Sequence, residues 1–81
     1  MTLELVLHGL TPSIAIQRIQ RFIVENPQCD CIEIIHGYNK GKKLKFVLED
    51  KNNLHNKRVI KTLPVPFNAG RTFIFLNSKN S

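Results

Sequence analysis

Apolar and polar residues alternate over 2–7, with leucines on one side of the chain and polar or smaller residues on the other. Such alternation is typical of a β-strand with one buried face. Further along, Thr11–Pro12 supplies an N-cap residue followed by proline at the first helical position. The spacing of apolar residues then predicts a helix over 12–25, which Asn26–Pro27 ends. The predicted inner face of this helix carries Ala15, Ile19, Phe22 and Ile23.

Three later segments also have the pattern of strands. Residues 31–36 are apolar almost throughout, as expected for an interior strand. Segments 59–63 and 72–76 are separated by prolines and by an Asn68–Gly70 turn, and they are predicted to form a hairpin-like pair. The first strand, the helix and the second strand make a βαβ unit, so the first two strands are predicted to be parallel neighbours.

Segment 42–51 fits two patterns. Leu44, Val47 and Leu48 lie on one helical face, whereas alternate apolar residues would also fit a strand. A helix is favoured because the lysines and acidic residues of this segment fall outside the apolar stripe. On that helix Phe46 points away from the core. There it can stack on a nucleobase, be an ordinary surface aromatic, or indicate that the segment is not helical.

The chain has 81 residues and a net charge of +6, and both numbers restrict its function. This length suits one small domain. Eight of the twelve basic residues and only two acids lie between Lys40 and Lys61. Concentrated positive charge is typical of proteins that bind nucleic acid, although charge runs are often only a solvated face. With neither a signal peptide nor an apolar run long enough for a bilayer, the expectation is a cytoplasmic protein without a membrane partner.

Cys29 and Cys31 are the only cysteines. Two residues apart on an extended chain, they point to the same side and cannot easily form a disulfide with each other. A metal site would need more ligands than these two thiols. We therefore predict reduced cysteines that pack in the core.

A glycine-containing loop with the sequence His-Gly-Tyr-Asn-Lys-Gly follows the second strand over 36–41. Its glycines let the backbone turn its N–H groups outward, and the lysines that follow add positive charge at the same place. This combination suits an anion, most plausibly a phosphate, although many α/β loops have a similar composition for structural reasons. The residues predicted to contact nucleic acid are Gly37, Tyr38, Asn39, Lys40, Gly41, Lys42, Lys43 and Lys45.

Two histidines end the first two strands, His8 and His36. If those strands are parallel neighbours, both imidazoles lie at the carboxyl edge of the sheet, where ligands bind in open α/β folds. Each histidine also has a structural explanation. His8 fits a strand-end residue whose ring bonds a backbone group, and His36 can be needed for the loop rather than for a ligand.

These motifs resemble those of the small MutS-related (Smr) domain family, and the resemblance runs from about Leu3 to Leu76. The family has a Leu-Asp-x-His-Gly signature, which here reads Leu5-Val6-Leu7-His8-Gly9. It has a second His-Gly-x-Gly-x-Gly loop, here at 36–41, and some members have an Asn-x-Gly turn like that at 68–70. The resemblance implies an α/β two-layer sandwich, β-α-β-α-β-β, with two helices on a four-stranded mixed sheet. The single domain then covers 1–76, and 77–81 is expected to be a frayed tail.

The resemblance also implies DNA or RNA binding and, in several family members, nicking endonuclease activity that depends on a metal ion. Two positions depart from the family pattern, because Val6 replaces the signature aspartate and Asn39 replaces the middle glycine of the second loop. The sequence therefore predicts a nucleic-acid-binding domain without a required cofactor. In the endonuclease alternative, His8 and His36 act as catalytic base and acid, or Mg²⁺ or Mn²⁺ takes part.

A third alternative is a protein-interaction module. The last strand is apolar on both sides, and two helices can cover only one face of a four-stranded sheet. The exposed face is then available to another protein or to a second copy of the chain in a homodimer.

Overall fold

Two helices and a short 3₁₀ helix cover one face of a four-stranded sheet in the computed structural model, which describes residues 1–37 and 41–77. The elements are β1 (Thr2–Val6), α1 (Pro12–Glu25), β2 (Cys31–Ile35), α2 (Lys42–Leu48), the 3₁₀ helix (Lys51–Leu54), β3 (Val59–Pro64) and β4 (Arg71–Leu76). The predicted order of helices and strands is confirmed, and each strand boundary lies within one residue of its predicted position.

The strands lie in the order β1-β2-β4-β3. Strands β1 and β2 are parallel neighbours, as predicted, and β4 pairs antiparallel with both β2 and β3. At the carboxyl edge Val6 lies opposite Ile35, and the N–H of Leu7 still donates to the carbonyl of Ile35 at 2.9 Å. The residues that follow the two strands, His8 and His36, therefore leave the sheet side by side.

One apolar core lies between the helices and the sheet. Alternate residues of the two central strands are buried, as expected for strands with one covered face. The core contains Ile32, Ile34, Ile74 and Leu76 from the sheet, Ala15, Ile19 and Ile23 from α1, and Leu44, Leu48 and Leu54 from the second helical segment. Phe22, predicted for the inner face of α1, packs at the margin of this core and is half-buried. Within the described ranges, neither helix is long and apolar enough to cross a bilayer.

The second helix is shorter than the predicted segment 42–51. It ends at Leu48, and a separate 3₁₀ helix begins at Lys51. The cause is local hydrogen bonding, because the Asp50 carboxylate accepts the N–H of Asn52 at 2.9 Å and so caps the new helix. Phe46 is 74% exposed, which confirms that it points away from the core.

The Arg58 side chain holds the end of α1 to the rest of the domain. Its guanidinium donates to the carbonyls of Ile23, Asn26, Pro27, Cys29 and Asn77 at 2.8–3.4 Å. The Asn77 N–H in turn donates to the Arg58 carbonyl at 2.7 Å. Asn77 is thus bonded to the domain, and residues 78–81 of the expected tail lie outside the described residues.

Both cysteines are free and buried, as predicted. The Cys29 thiol donates to the Cys31 carbonyl at 3.1 Å. Burial raises the pKa of the Cys31 thiol, which favours its neutral form. The two thiols therefore serve as packing groups in this fold.

Candidate functional site

Three loops meet at the carboxyl edge of β1 and β2, and we call this edge the rim. It consists of 8–11 after β1, residues 36, 37 and 41 after β2, and 67–70 before β4. The carbonyl of Gly70 accepts the N–H groups of both His36 and Gly37 at 3.0 Å. These two hydrogen bonds connect the loop before β4 to the loop after β2. The Asn-x-Gly turn therefore belongs to the same site as the two histidine–glycine pairs.

His36 lies inside the rim and is only 2% exposed. Its Nδ1 lies 2.9 Å from the carbonyl oxygen of Gly37, and its Nε2 lies 2.9 Å from Oγ1 of Thr72. Because a carbonyl can only accept, Nδ1 carries the hydrogen. In the neutral ring, Nε2 therefore accepts from the Thr72 hydroxyl. Both ring nitrogens are engaged within the protein.

The surroundings of His36 favour the neutral imidazole. Burial lowers its pKa below the ordinary value of 6.5, and the positive charges of Lys45 and His8 lower it further. The hydrogen bond to Gly37 acts in the opposite direction. The structure thus brings His36 to the rim, as expected, but does not present a ring nitrogen to solvent.

His8 is the exposed histidine of the rim. A methyl group built on Gly37 would lie 3.5 Å from Cδ2 of His8 and 3.7 Å from its Nε2, so the ring lies directly over that glycine. Among the described residues the His8 ring has no hydrogen-bond partner, which argues against the explanation in which it bonds a backbone group. The two histidines share the rim as predicted, with one ring inside and one outside.

Gly41 fixes the start of α2 against the second loop. A Cβ at this position would lie 2.2 Å from the carbonyl oxygen of His36 and 2.4 Å from that of Gly37. No side chain fits there, since real Cβ atoms do not approach backbone oxygens so closely. Gly9 and Gly37 are required for a different reason, because both have positive φ angles, of 75° and 83°. The glycines of the motif thus shape the loops and bring α2 to the rim.

This placement of α2 determines where the lysines predicted for the site lie. Lys42 and Lys43 are exposed, and Lys45 is half-buried near enough to His36 to affect its pKa. The side chains of Lys43 and Leu44 form a cleft of about 250 Å³ with residues 9–12 of the first loop. Tyr38, Asn39 and Lys40, which were predicted to contact nucleic acid, lie outside the described residues.

Two of the described basic residues of span 40–61, Arg58 and Lys61, do not face the rim. Lys51 and Lys57 are exposed, on the 3₁₀ helix and in the turn after it. Lys61 lies over the ring of Phe75, 5.2 Å from its centroid, on the face of the sheet that no helix covers. The Arg58 guanidinium donates its hydrogen bonds to carbonyl groups within the domain. The basic residues that lie together in the sequence are therefore directed to more than one part of the domain.

The crystal structure of the Smr domain of Thermus thermophilus MutS2 resembles this fold closely. The TM-score is 0.76 at 23% sequence identity, over 91% of this chain and 96% of that chain. This chain has the Smr-domain fold. The match extends over nearly the whole length of both chains, which confirms at the level of the fold the resemblance seen in the sequence. The sequence itself matches no protein-family model, and a search of curated proteins also finds no match.

Val6, at the position of the Smr signature aspartate, is the last residue of β1 and is 59% exposed. The nearest carboxylates along its face of the sheet belong to Glu4 and Glu33, which are paired across β1 and β2. Arg71 forms salt bridges with both, at 3.0 Å to Glu4 and still closer to Glu33. These two carboxylates share the single guanidinium of Arg71, at 3.0 Å for Glu4, and are held by it.

Phe67, in the third loop, was missed by the sequence analysis. It is fully exposed and has a φ of 60°. The Asn-x-Gly turn of the Smr pattern was recognised at the next residue, but nothing in the local sequence shows that the preceding ring is left in solvent. The available signal is its position between Pro66 and the turn, where a phenylalanine has few neighbours to pack against.

Proposed function

We propose that this chain is a nucleic-acid-binding Smr-like domain that contacts DNA or RNA phosphates through its rim. The observation that carries the proposal is the close packing of Gly41, which places the lysines of α2 beside the two histidine–glycine loops. In the part of the chain that the structure describes, no carboxylate pairs with Lys43 or Lys45. These cations remain available to an anion.

Phosphates suit this surface for an electrostatic reason. Ammonium groups that neutralise phosphates release condensed counterions, and this release supplies much of the affinity of proteins for nucleic acid. The cleft between Lys43 and the first loop is lined by Gly9, the residue that follows His8. In this proposal His8, Lys43 and Lys45 contact the backbone of the nucleic acid, together with the loop 37–40. His36 holds the loops in place through Gly37 and Thr72.

The endonuclease alternative has less support in the geometry. Mg²⁺ and Mn²⁺ prefer oxygen ligands, carboxylates above all, whereas the described rim has two imidazoles and no carboxylate, and Val6 stands beside it in place of the signature aspartate. Glu4 and Glu33 are already bound to Arg71, and no group of three or more potential ligands lies together in 1–37 and 41–77. These residues do not fit a magnesium site. The catalytic roles of His8 and His36 stay predictions, as does a cytoplasmic location.

The uncovered face of the sheet supports a second candidate function, protein interaction. Phe73 and Phe75 are half-exposed there with ring centroids 5.8 Å apart. The charges around them cancel, since Arg71 and Lys61 offset Glu4 and Glu33, so this face suits a protein better than a phosphate backbone. Sedimentation velocity over a range of concentrations tests the simplest case, a homodimer through this face.

The proposed function is tested by the salt dependence of binding to branched DNA and to structured RNA. The triple variant Lys40→Ala, Lys42→Ala, Lys43→Ala removes the three lysines that flank Gly41 in the sequence. A matched control, Lys51→Ala, Lys57→Ala, Lys61→Ala, removes three charges elsewhere. The slope of log K against log salt should fall in the rim variant by about 0.9 for each phosphate that is no longer neutralised, and much less in the control.

Equal effects of the two triple variants, or an affinity that does not depend on salt, would contradict the proposal. The same incubations, with and without Mg²⁺ or Mn²⁺, measure cleavage directly. Robust cleavage that disappears in His8→Ala would establish the enzyme alternative.

A further inference from the structure

Phe67 combines two features that a folded domain normally avoids. Its ring is fully exposed, although phenylalanine is among the residues most often buried. Its φ angle of 60° lies in the left-handed region, which bulky side chains adopt only as outliers. Neither feature contributes to the stability of the fold. Residues held in this way are found preferentially at binding sites.

The turn around Phe67 is closed without any help from its ring. The N–H of Val65 donates to the carbonyl of Arg71 at 3.3 Å, and the N–H of Asn68 donates to that of Val65 at 3.1 Å. The side chain of Asn68 accepts the N–H of Gly70 at 3.1 Å. These bonds fix the backbone on both sides of Phe67. The ring is therefore held out in solvent by an ordered turn.

The position of this turn connects Phe67 to the rim. Gly70, three residues further along, accepts the N–H groups of His36 and Gly37. Three residues span at most about 10 Å, so Phe67 lies within that distance of Gly70 and at the same end of the sheet as the two histidine–glycine loops. The rim then presents an aromatic face beside positive charge. Proteins that bind single-stranded nucleic acid use this combination, with cations for the backbone and aromatic rings for the bases.

We infer that Phe67 stacks on a nucleobase, and that the rim takes nucleic acid with at least one unpaired base. This inference rests on the proposed function and specifies the substrate class. In a paired duplex only the edges of the bases are accessible, because each face already stacks on its neighbours. A protruding ring can reach the face of a base only where the strand is single, bulged or branched.

Phe46 provides a comparison within the same chain. It is also exposed, at 74%, but it lies on α2 with helical backbone and needs no special conformation. If general surface hydrophobicity were responsible for binding, the two phenylalanines would contribute alike. The inference expects Phe67 to contribute more.

The experiment compares three ligands: a single-stranded oligonucleotide, a blunt duplex of the same sequence, and a duplex with a single-stranded branch. Phe67→Asn removes the ring while keeping a residue that tolerates positive φ, Phe67→Leu keeps an apolar side chain without an aromatic face, and Phe67→Tyr keeps the face. The matched control is Phe46→Leu. Kd is measured at several salt concentrations, and Tm verifies that each variant is folded.

The inference expects Phe67→Asn and Phe67→Leu to raise Kd for the single-stranded and branched ligands by about 5- to 150-fold. Binding to the blunt duplex, the slope against salt and Tm should change little, and Phe67→Tyr should bind like the unmodified protein. In the complex, ring-current shifts of base protons should accompany binding and be absent with Phe67→Leu.

The outcomes separate the two proposals. Salt-dependent binding by the unmodified protein, with no effect of Phe67→Asn or Phe67→Leu, would overturn the stacking role and leave the proposed function intact. An equal loss on the blunt duplex would overturn it too, because the ring would then not be recognising unpaired bases. Failure of the unmodified protein to bind any of the three ligands would overturn both proposals.

Discussion

Replacing Gly41 by alanine tests how the fold builds its rim. Helix propensity alone would favour the change, because glycine is a poor residue at a helix and alanine is the best one. The backbone of Gly41 also has an ordinary negative φ of −93°, so alanine can adopt it. The added Cβ, however, would lie 2.2 Å from the carbonyl oxygen of His36 and 2.4 Å from that of Gly37.

The cost follows from this close approach. Both neighbouring atoms belong to the backbone of the second loop, where the N–H groups of His36 and Gly37 are bonded to Gly70, so they cannot move aside as a side chain would. We expect destabilisation at the upper end of the range for overpacking, about 3 kcal/mol. For a chain of 81 residues, whose total stability is on the order of 4–12 kcal/mol, this is a large fraction.

Gly9→Ala and Gly37→Ala are the matched controls, because they make the same chemical change in the two histidine–glycine loops of the rim. At Gly9 a Cβ would meet nothing within 4 Å, and at Gly37 it would make ordinary contact with the His8 ring. Each of these two variants should lose about 1–2 kcal/mol of stability, because alanine is strained at positive φ. A smaller gain offsets part of this loss, because alanine restricts the unfolded chain more than glycine does.

Urea denaturation and Tm measure all three alanine variants, and Gly41→Ala should lower Tm by about 12–24 °C. A Gly41→Ala protein as stable as the unmodified one, or more stable than Gly9→Ala, would refute the close packing of α2 on the rim.

Two further predictions concern side chains inside the domain. Arg58→Ala should lower the free energy of unfolding in urea by about 2–4 kcal/mol, because it removes the donor to five carbonyl groups and only some of those groups regain water. Arg58→Lys should recover little of this stability, since an ammonium cannot reproduce the guanidinium geometry. The His36 contribution to stability should be full above pH 6.5 and lost as the pH falls through its lower folded pKa. His36→Gln should remove this part of the pH dependence, as measured by denaturation between about pH 5 and pH 7.

Much of the fold could be predicted from the sequence, because buried apolar residues recur at the spacing of a strand or of a helix. The alternating leucines of β1 and the helical spacing in α1 reflect which side of each element faces the core. The adjacency of β1 and β2 followed from the connection through one helix, and with it the shared rim of the two histidines. The end of α2 was not predictable in this way, because the side chain of Asp50 stops one helix and starts another within three residues.

The distribution of charge over the folded surface was the property that the sequence predicted least well. Arg58 counts as part of a basic span, but the folded chain directs its guanidinium to the carbonyl groups at the end of α1, about thirty residues away in sequence. Arg71 joins Glu4 and Glu33, and the separation from Glu4 is 67 residues. Such pairs depend on strand register, which no local pattern contains. A sum of charges over a segment therefore overstates the positive surface that a ligand meets.

The two histidines show why residue type and position together do not determine a role at this rim. Both follow a parallel strand and both precede a glycine, so the sequence pattern alone does not distinguish them. The neighbouring strand distinguishes them. His36 follows the interior strand β2, where Thr72 of β4 lies close enough to bond its ring, whereas His8 follows the edge strand β1, which has a neighbour on one side only. An interior position thus engages both ring nitrogens of His36 within the fold, and an edge position leaves the His8 ring exposed. The order of the strands, rather than the motif, determines the surroundings of the two rings.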